Sequence, residues 1–189
     1  MALTGILLAA GRGKRFDPSG VQNKLLQLVD GEPVVARSAR NMLAALPRVL
    51  AVVRPGDDRV AALLGRLGCE VRVADNADLG MGESLATAIE YTRGAEGWLI
   101  ALGDMPWVQP ATMRSLAAAI ESGANIAAPV HQGRRGNPVA FGAVHRDALL
   151  ALGGDQGARR LLTSHPVTAI EVRDPGILRD IDAPGDLPT

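Results

Sequence analysis

The residues best able to do chemistry lie near the start of the chain. The apolar run Gly5-Ile6-Leu7-Leu8-Ala9-Ala10 breaks into Gly11-Arg12-Gly13-Lys14-Arg15-Phe16, and Asn23-Lys24-Leu25-Leu26 follows. Glycines let a backbone turn tightly and approach a ligand closely. The N–H groups of such a loop, with Arg and Lys beside them, suit a polyphosphate. A Rossmann fingerprint needs a third glycine where Phe16 stands, and a Walker loop needs a Gly-Lys-Ser/Thr ending that is absent. A third pattern is a different phosphate loop in which Arg15 and Lys24 clamp a triphosphate. An ordinary strand-to-helix connection with solvated charges has the same composition.

Four other constellations carry polar groups. Gly103-Asp104-Met105-Pro106 follows the apolar run Trp98-Leu99-Ile100-Ala101-Leu102. An Asp at the carboxyl end of a parallel strand lies where open α/β sheets bind ligands. One carboxylate plus phosphate oxygens is a usual way to hold Mg²⁺; a turn role before Pro106 competes with it. Asp180-Ile181-Asp182, if extended, puts both carboxylates on one side, where one can join Asp104 in a metal site. Asp182 can instead cap a turn starting at Ala183-Pro184. In Asn76-Ala77-Asp78-Leu79-Gly80-Met81-Gly82-Glu83-Ser84, the glycines allow close approach to a flat base and Ser84 can hydrogen-bond it; a glycine-rich helix start reads the same. Arg134 and Arg135, on a turn bounded by Gly133 and Gly136, suit an anionic acceptor or a solvated hairpin tip. His131, His145 and His165 lack metal-ligand spacing.

The elements that must position these groups alternate along the chain. Strands are expected at Gly5–Ala10, Val49–Val53, Glu70–Val73, Trp98–Leu102 and Asn125–Pro129. Helices are expected from Glu32-Pro33 to Ala45, from Asp57-Asp58 to Leu67, over Glu83–Thr92 and over Pro110–Ser122. This alternation argues for βαβ units and a mainly parallel sheet. After Val130 the pattern becomes a strand, a polar turn and a strand ending at Ala143, which is a β-hairpin excursion. A helix at Arg146–Leu152, a second at Gln156–Thr163 capped by Asp155, and a strand at Val167–Val172 complete the list. Asp104 and the cationic loop then fall on one edge of the sheet.

Bulk properties narrow the class. The 189 residues fit one domain, and an apolar content of 47% excludes a disordered chain. The formal net charge is zero, which points away from nucleic acid and acidic membranes and makes the cations of the first loop stand out. Cys69, the single cysteine, cannot form an internal disulfide and is expected in the core or at a strand edge. No apolar run reaches about 18 residues. Met1-Ala2-Leu3-Thr4 has no basic leader pattern, so the expectation is a cytoplasmic protein.

In order, the motifs Leu-Ala-Ala-Gly-x-x-x-Arg-Phe, Asn23-Lys24-Leu25-Leu26, Asn76…Gly82…Ser84, Gly-Asp-Met-Pro, Gly136-Asn137-Pro138-Val139, Gly154-Asp155-x-Gly-Ala-Arg and Asp-Ile-Asp-x-Pro-x-Asp-Leu resemble the molybdenum cofactor cytidylyltransferases. These are nucleotidyltransferases with a molybdenum cofactor guanylyltransferase-like fold. The resemblance spans nearly the whole chain. It implies one domain over 1–189 with a three-layer, Rossmann-like α/β nucleotidyltransferase fold. It implies that Gly11 through Arg15 wrap the triphosphate, with Ala9 and Ala10 entering the loop and Lys24 touching the phosphates. Asp104 would hold Mg²⁺, with Asp182 a second ligand. The loop containing Asn76, Gly80, Gly82 and Ser84 would lie by base and sugar, and Arg135, Gly136, Asn137, Pro138 and Asp155 by the acceptor. Ala9-Ala10-Gly11 resembles the cytidylyl branch. The chain departs from the family at Gly13, often Ser there, in the long Phe16–Asn23 segment, and at Gly185.

The implied reaction transfers CMP from CTP to the phosphate of molybdenum-loaded molybdopterin, with Arg15, Lys24 and Asp104 carrying the catalysis. The expected partners are CTP or another NTP, a molybdopterin-type acceptor and a molybdenum hydroxylase apoenzyme. Neither nucleic acid nor membrane is expected. The alternatives are a GTP- or other NTP-dependent transferase with another phosphorylated acceptor, and a non-catalytic carrier of the finished cofactor.

Overall fold

The computed structural model describes residues 3–188. β1 (Thr4–Ala9) is buried along its whole length, as a continuous apolar run demands in a central parallel strand. The small pair β2 (Leu28–Val29) and β3 (Glu32–Pro33) precedes α1 (Val34–Leu43). α1 therefore starts after Glu32-Pro33, because those two residues are used in strand pairing. β4 (Val49–Val53), α2 (Asp58–Leu67) and β5 (Glu70–Val73) follow as expected. α3 (Met81–Tyr91) starts two residues ahead of Glu83, and β6 (Gly97–Leu102) and α4 (Pro110–Glu121) come next. β7 (Ile126–His131), β8 (Arg134–Arg135), β9 (Val139–Gly142), α5 (Arg146–Leu150), α6 (Arg159–Ser164) and β10 (Thr168–Glu171) complete the elements.

The helix expected over Gln156–Thr163 is divided. Gly157, at φ 49° and ψ −146°, breaks the helical backbone between a 3₁₀ turn at Gly154–Gln156 and α6, so Asp155 does not cap a continuous helix.

The sheet runs β10-β7-β9-β6-β1-β4-β5, with β8 beside β7. β1 is parallel to β4 and β6, as are β4 with β5 and β10 with β7. The expected antiparallel pair is present as β7 and β9, but the expected turn over Gln132–Gly136 itself contains β8, antiparallel to β7. β9 then inserts between β6 and β7, antiparallel to both. Val139-Ala140-Phe141-Gly142 is buried throughout, which suits an interior strand and not an edge.

Alternate strand residues feed two cores. Leu7, Val53, Leu99 and Ala101 pack with Met42, Leu64 and Leu116 on the side of α1, α2 and α4. Ile6, Leu50, Val52, Trp98, Ile100 and Phe141 pack with Leu85, Ile89, Leu149 and Leu161 on the side of α3, α5 and α6. The result is a three-layer α/β architecture. Leu8 of β1 is paired with Leu102 of β6, which brings the two functional loops together at the carboxyl ends of adjacent strands. Among the described residues, no helix is long and apolar enough to cross a membrane.

Cys69 follows the left-handed Gly68 that ends α2 and lies in the first core. Burial pushes its thiol up to about 11. At pH 8 the native thiolate population then falls about a hundredfold below that of an ordinary cysteine. Iodoacetamide is expected to label Cys69 slowly in the native protein and rapidly in urea, as followed by intact-mass spectrometry.

Candidate active site

The turn after β6 is held by its own backbone groups. Gly103 N–H donates to Leu8 O at 2.9 Å, and Ser38 Oγ of α1 donates to Gly103 O at 2.9 Å. Asn41 Nδ2 donates to Pro106 O at 3.1 Å, and Ile181 N–H donates to Asp104 O at 2.9 Å. With these groups satisfied, the Asp104 backbone has little freedom.

The Ile181 bond also docks the C-terminal segment. Ile181 is fully buried with Phe16, Val29 and Val34, so its neighbours Asp180 and Asp182 face away from that cluster. The extended reading of Asp180-Ile181-Asp182 holds: one carboxylate oxygen each from Asp104, Asp180 and Asp182 lies within 4.8 Å of the others. The cap of the terminal turn is Asp186, whose Oδ2 accepts the N–H groups of Asp182 and Ala183 at 2.9 and 2.7 Å. Asp182 is thereby left free for other work. Further upstream, buried Asp174 anchors the segment to α4 by accepting Gln109 N–H, Thr112 Oγ1–H and its own Gly176 N–H.

Two cations reach these carboxylates. Lys24 Nζ lies 2.6 Å from Asp104 Oδ2 and 3.1 Å from Asp182 Oδ1, and Arg15 lies 2.9 Å from Asp182 Oδ2. The Lys24 side chain is 11% exposed, that of Arg15 80%. Burial depresses the Lys24 ammonium, but the carboxylates of Asp104 and Asp182 outweigh it, and its pKa stands above the ordinary lysine value. Burial, followed by the charges of Asp182 and Asp104, raises the Asp180 carboxyl.

The long Phe16–Asn23 segment is ordered by its own polar groups. Asp17 accepts from Ser19 N–H, Ser19 Oγ and Gln22 N–H, which lowers its pKa. Asn23 then caps the 3₁₀ turn Lys24–Leu26 through Leu25 N–H at 3.0 Å and reaches Asp57 with its amide. These contacts deliver Lys24 to the carboxylates.

The phosphate-type loop and these groups line one cleft of about 500 Å³. Ala9, Ala10, Gly11, Arg12, Gly13, Lys14, Arg15, Lys24, Gly80, Ser84, Asp104, Asp155 and Asp182 all contribute to it. Gly13 has φ +60° and its carbonyl accepts Phe16 and Asp17 N–H groups, a left-handed turn that favours glycine. Asn76 is not among the lining residues. Its side chain meets Glu83 Oε2 at 3.0 Å and Thr87 Oγ1 at 3.3 Å, where it braces the first turns of α3.

Gly80 and Gly82 permit a close approach, but to another loop: a Cβ on Gly80 would collide with the Gly154 backbone, and one on Gly82 would lie 2.8 Å from the Gly153 backbone. This packing brings Asp155 to the cleft. Arg135, Gly136, Asn137 and Pro138 do not line it. Asn137 N–H donates to Ile177 O, and Gly136 lies against that same carbonyl, so the turn supports the segment leading to Asp180 and Asp182. Arg135 is exposed on β8.

Sequence reasoning missed Asp78, whose carboxylate pairs with Arg12 Nε at 2.6 Å across the cleft mouth, and the lining residues Met81 and Leu102. Asp78 sits inside the glycine-rich loop already singled out, but its partner is 66 residues away and no local pattern announces it. The histidines are structural: His145 is buried edge-on against Phe141 and His165.

A divalent cation fits this donor set. Hard oxygen ligands from Asp104, Asp180 and Asp182 converge. Among the described residues, Asp104 Oδ1 is a buried acceptor without a hydrogen-bond partner.

Residues 5–169 match the MobA-like NTP transferase domain. The chain is 30% identical over 199 aligned residues to the purine catabolism protein PucB of Bacillus subtilis (strain 168), covering 96% of this chain and 92% of that protein. The crystal structure of Rv0371c from Mycobacterium tuberculosis H37Rv superposes with a TM-score of 0.83 at 26% identity, covering 98% of this chain and 95% of that one. Its manganese complex superposes with a TM-score of 0.76 at 26% identity over 100% and 94% of the chains. A nucleotidyl transferase from Methanothermobacter thermautotroptrophicus (Mth528) gives 0.81 at 25% identity over 98% and 94%.

Ile181 is the apolar pin between the phosphate loop and the carboxylates. Ile181→Ala is expected to destabilise the protein by about 2–4 kcal/mol in urea unfolding, through lost burial and the cavity left behind. An effect below about 0.5 kcal/mol, the size of a surface substitution, would refute that role.

Proposed function

The chain belongs to the MobA-like NTP transferase family of nucleotidyltransferases, and from that premise we propose that it transfers CMP from CTP to the terminal phosphate of molybdenum-loaded molybdopterin, releasing pyrophosphate. The observation that carries this reading is a cationic glycine loop at the end of β1 facing Asp104 at the end of β6 across one cleft. Its volume of about 500 Å³ is within the range of small-molecule sites. The cytosine base and the pterin acceptor rest on the motif resemblance, in particular Ala9-Ala10-Gly11. In this reading residues 1–189 act as one catalytic domain.

The acceptor's phosphate oxygen forms a bond to the α-phosphorus of CTP, in line with the bond to the bridging oxygen that breaks. Pyrophosphate leaves with that electron pair. The nucleophile is already anionic, so no strong general base is required and catalysis rests on placement and charge. Backbone N–H groups from Gly11 to Arg15 bind the triphosphate, and Arg15 and Lys24 offset charge on the departing pyrophosphate. Asp104 and Asp182 would hold Mg²⁺, which when bound neutralises phosphate charge. Asp155, which lines the cleft, would meet the acceptor. Gly136 and Asn137 act through the Ile177 carbonyl, holding the segment that leads to Asp182.

The test is pyrophosphate release with each of the four NTPs, with and without molybdenum-loaded molybdopterin. Release is expected with CTP and only with the acceptor present. A preference for GTP would replace the base assignment, and no release with any NTP would leave a carrier. Asp104→Ala is expected to lower turnover at least about a thousandfold at saturating Mg²⁺ while the circular dichroism spectrum is kept. Near-normal turnover in that variant would sink the metal role. Lys24→Ala is expected to raise the KM for CTP by about 10–100-fold, the worth of one charged contact to phosphate. An unchanged KM would refute that contact.

A further inference from the structure

Lys24 is placed where two demands on it conflict. A phosphate-binding lysine must present its ammonium to the nucleotide, yet here the ammonium sits between Asp104 and Asp182. Those oxygens belong to the carboxylate group that fits a divalent cation. An ammonium and a divalent cation cannot share these oxygens at contact distance without strong repulsion in a part-buried setting.

The surroundings let one partner move and keep the others still. Asp104 is fixed by the hydrogen bonds around Gly103–Pro106, and Asp182 by docked Ile181 and the Asp186 cap. The Lys24 backbone is held by the Asn23-capped turn. Its stem runs past the phosphate loop: a Cβ on Gly13 would lie 3.5 Å from Lys24 Cγ. With the backbone held, the outer torsions of a flexible four-carbon chain can swing the ammonium off the carboxylates within the cleft.

We propose that Lys24 is an exchangeable counter-ion. It neutralises Asp104 and Asp182 while the cleft is free, and it passes to the phosphates as the metal takes the carboxylates. The inference rests on reading the cleft as a metal-dependent nucleotide site, and adds an order to it. Divalent cation alone binds weakly because Lys24 holds its ligands. Cation and nucleotide bind with positive linkage because the nucleotide draws Lys24 away. The device also guards three convergent carboxylates against mutual repulsion in the metal-free protein.

The test is manganese binding to the whole protein without nucleotide, followed by the electron paramagnetic resonance signal of free Mn²⁺. Lys24→Met removes the competing charge, and Lys24→Gln does so with a polar head, should the apolar one disturb folding. Either variant is expected to bind Mn²⁺ about tenfold or more tightly than the unaltered protein, the opposite of what loss of a favourable contact gives. Lys24→Arg, which keeps the charge, is expected to stay weak. Affinity in Lys24→Met and Lys24→Gln equal to or below that of the unaltered protein overturns the exchange and leaves the nucleotide site standing. Manganese binding that Asp104→Asn does not diminish, or no binding in any variant, overturns the metal site itself and the exchange with it.

Discussion

Three carboxylates within 4.8 Å of one another set the terms for the rest of the site. Such a group repels itself, and the chain spends much of its local structure on bringing the group together and compensating it. Asp104 comes from the end of a central strand, while Asp180 and Asp182 arrive from the far end of the chain. Lys24 and Arg15 supply the opposing charge from a third segment. None of these five groups is held by its sequence neighbours alone, so the site exists only when three separate segments are docked.

The docking is mostly apolar and main-chain. Phe16, Val29, Val34 and Ile181 form a small cluster apart from the two large cores. It ties the phosphate-type loop, the start of α1 and the C-terminal segment to one another. Main-chain bonds at Gly103, Asp104 and Ile177 then set the distances. Directionless burial brings the segments together and hydrogen bonds fix their register. The carboxylates are thus placed by buried Ile181, by main-chain bonds and by the Asp174 and Asp186 anchors, none of which uses the carboxylate oxygens of Asp104 or Asp182. Electrostatic placement by the ligands themselves would have consumed the groups the chemistry needs.

Much of the scaffold was legible from periodicity. β4, α2 and β5 fall where short apolar runs and the stop at Gly68 put them. What failed were decisions between local signals. Pro33 reads as the first turn of a helix, yet it is the N-cap residue, one position ahead of α1 and paired with β2. Asp155 reads as a cap, yet Gly157 breaks the helix it would have capped. Gly80 and Gly82 signalled close approach correctly, but the approaching group is the Gly153-Gly154 loop, which no reading of either segment alone contains. The same holds for Gly136-Asn137-Pro138, whose partner is a carbonyl about forty residues on, in a segment it holds in place.

The sequence by itself determined the alternation of strands and helices, the glycine loop at the end of β1, the carboxylate at the end of β6 and the one-sided pair Asp180 and Asp182. Each depends on spacing within a few residues, and spacing survives in one dimension. Only the tertiary structure decided that Lys24 rests between Asp104 and Asp182, that Arg12 meets Asp78, and that Asn76 turns from the cleft to brace α3. Those choices weigh one long-range partner against another, and the balance of burial and charge that settles them arises only once the sheet has brought the segments within reach.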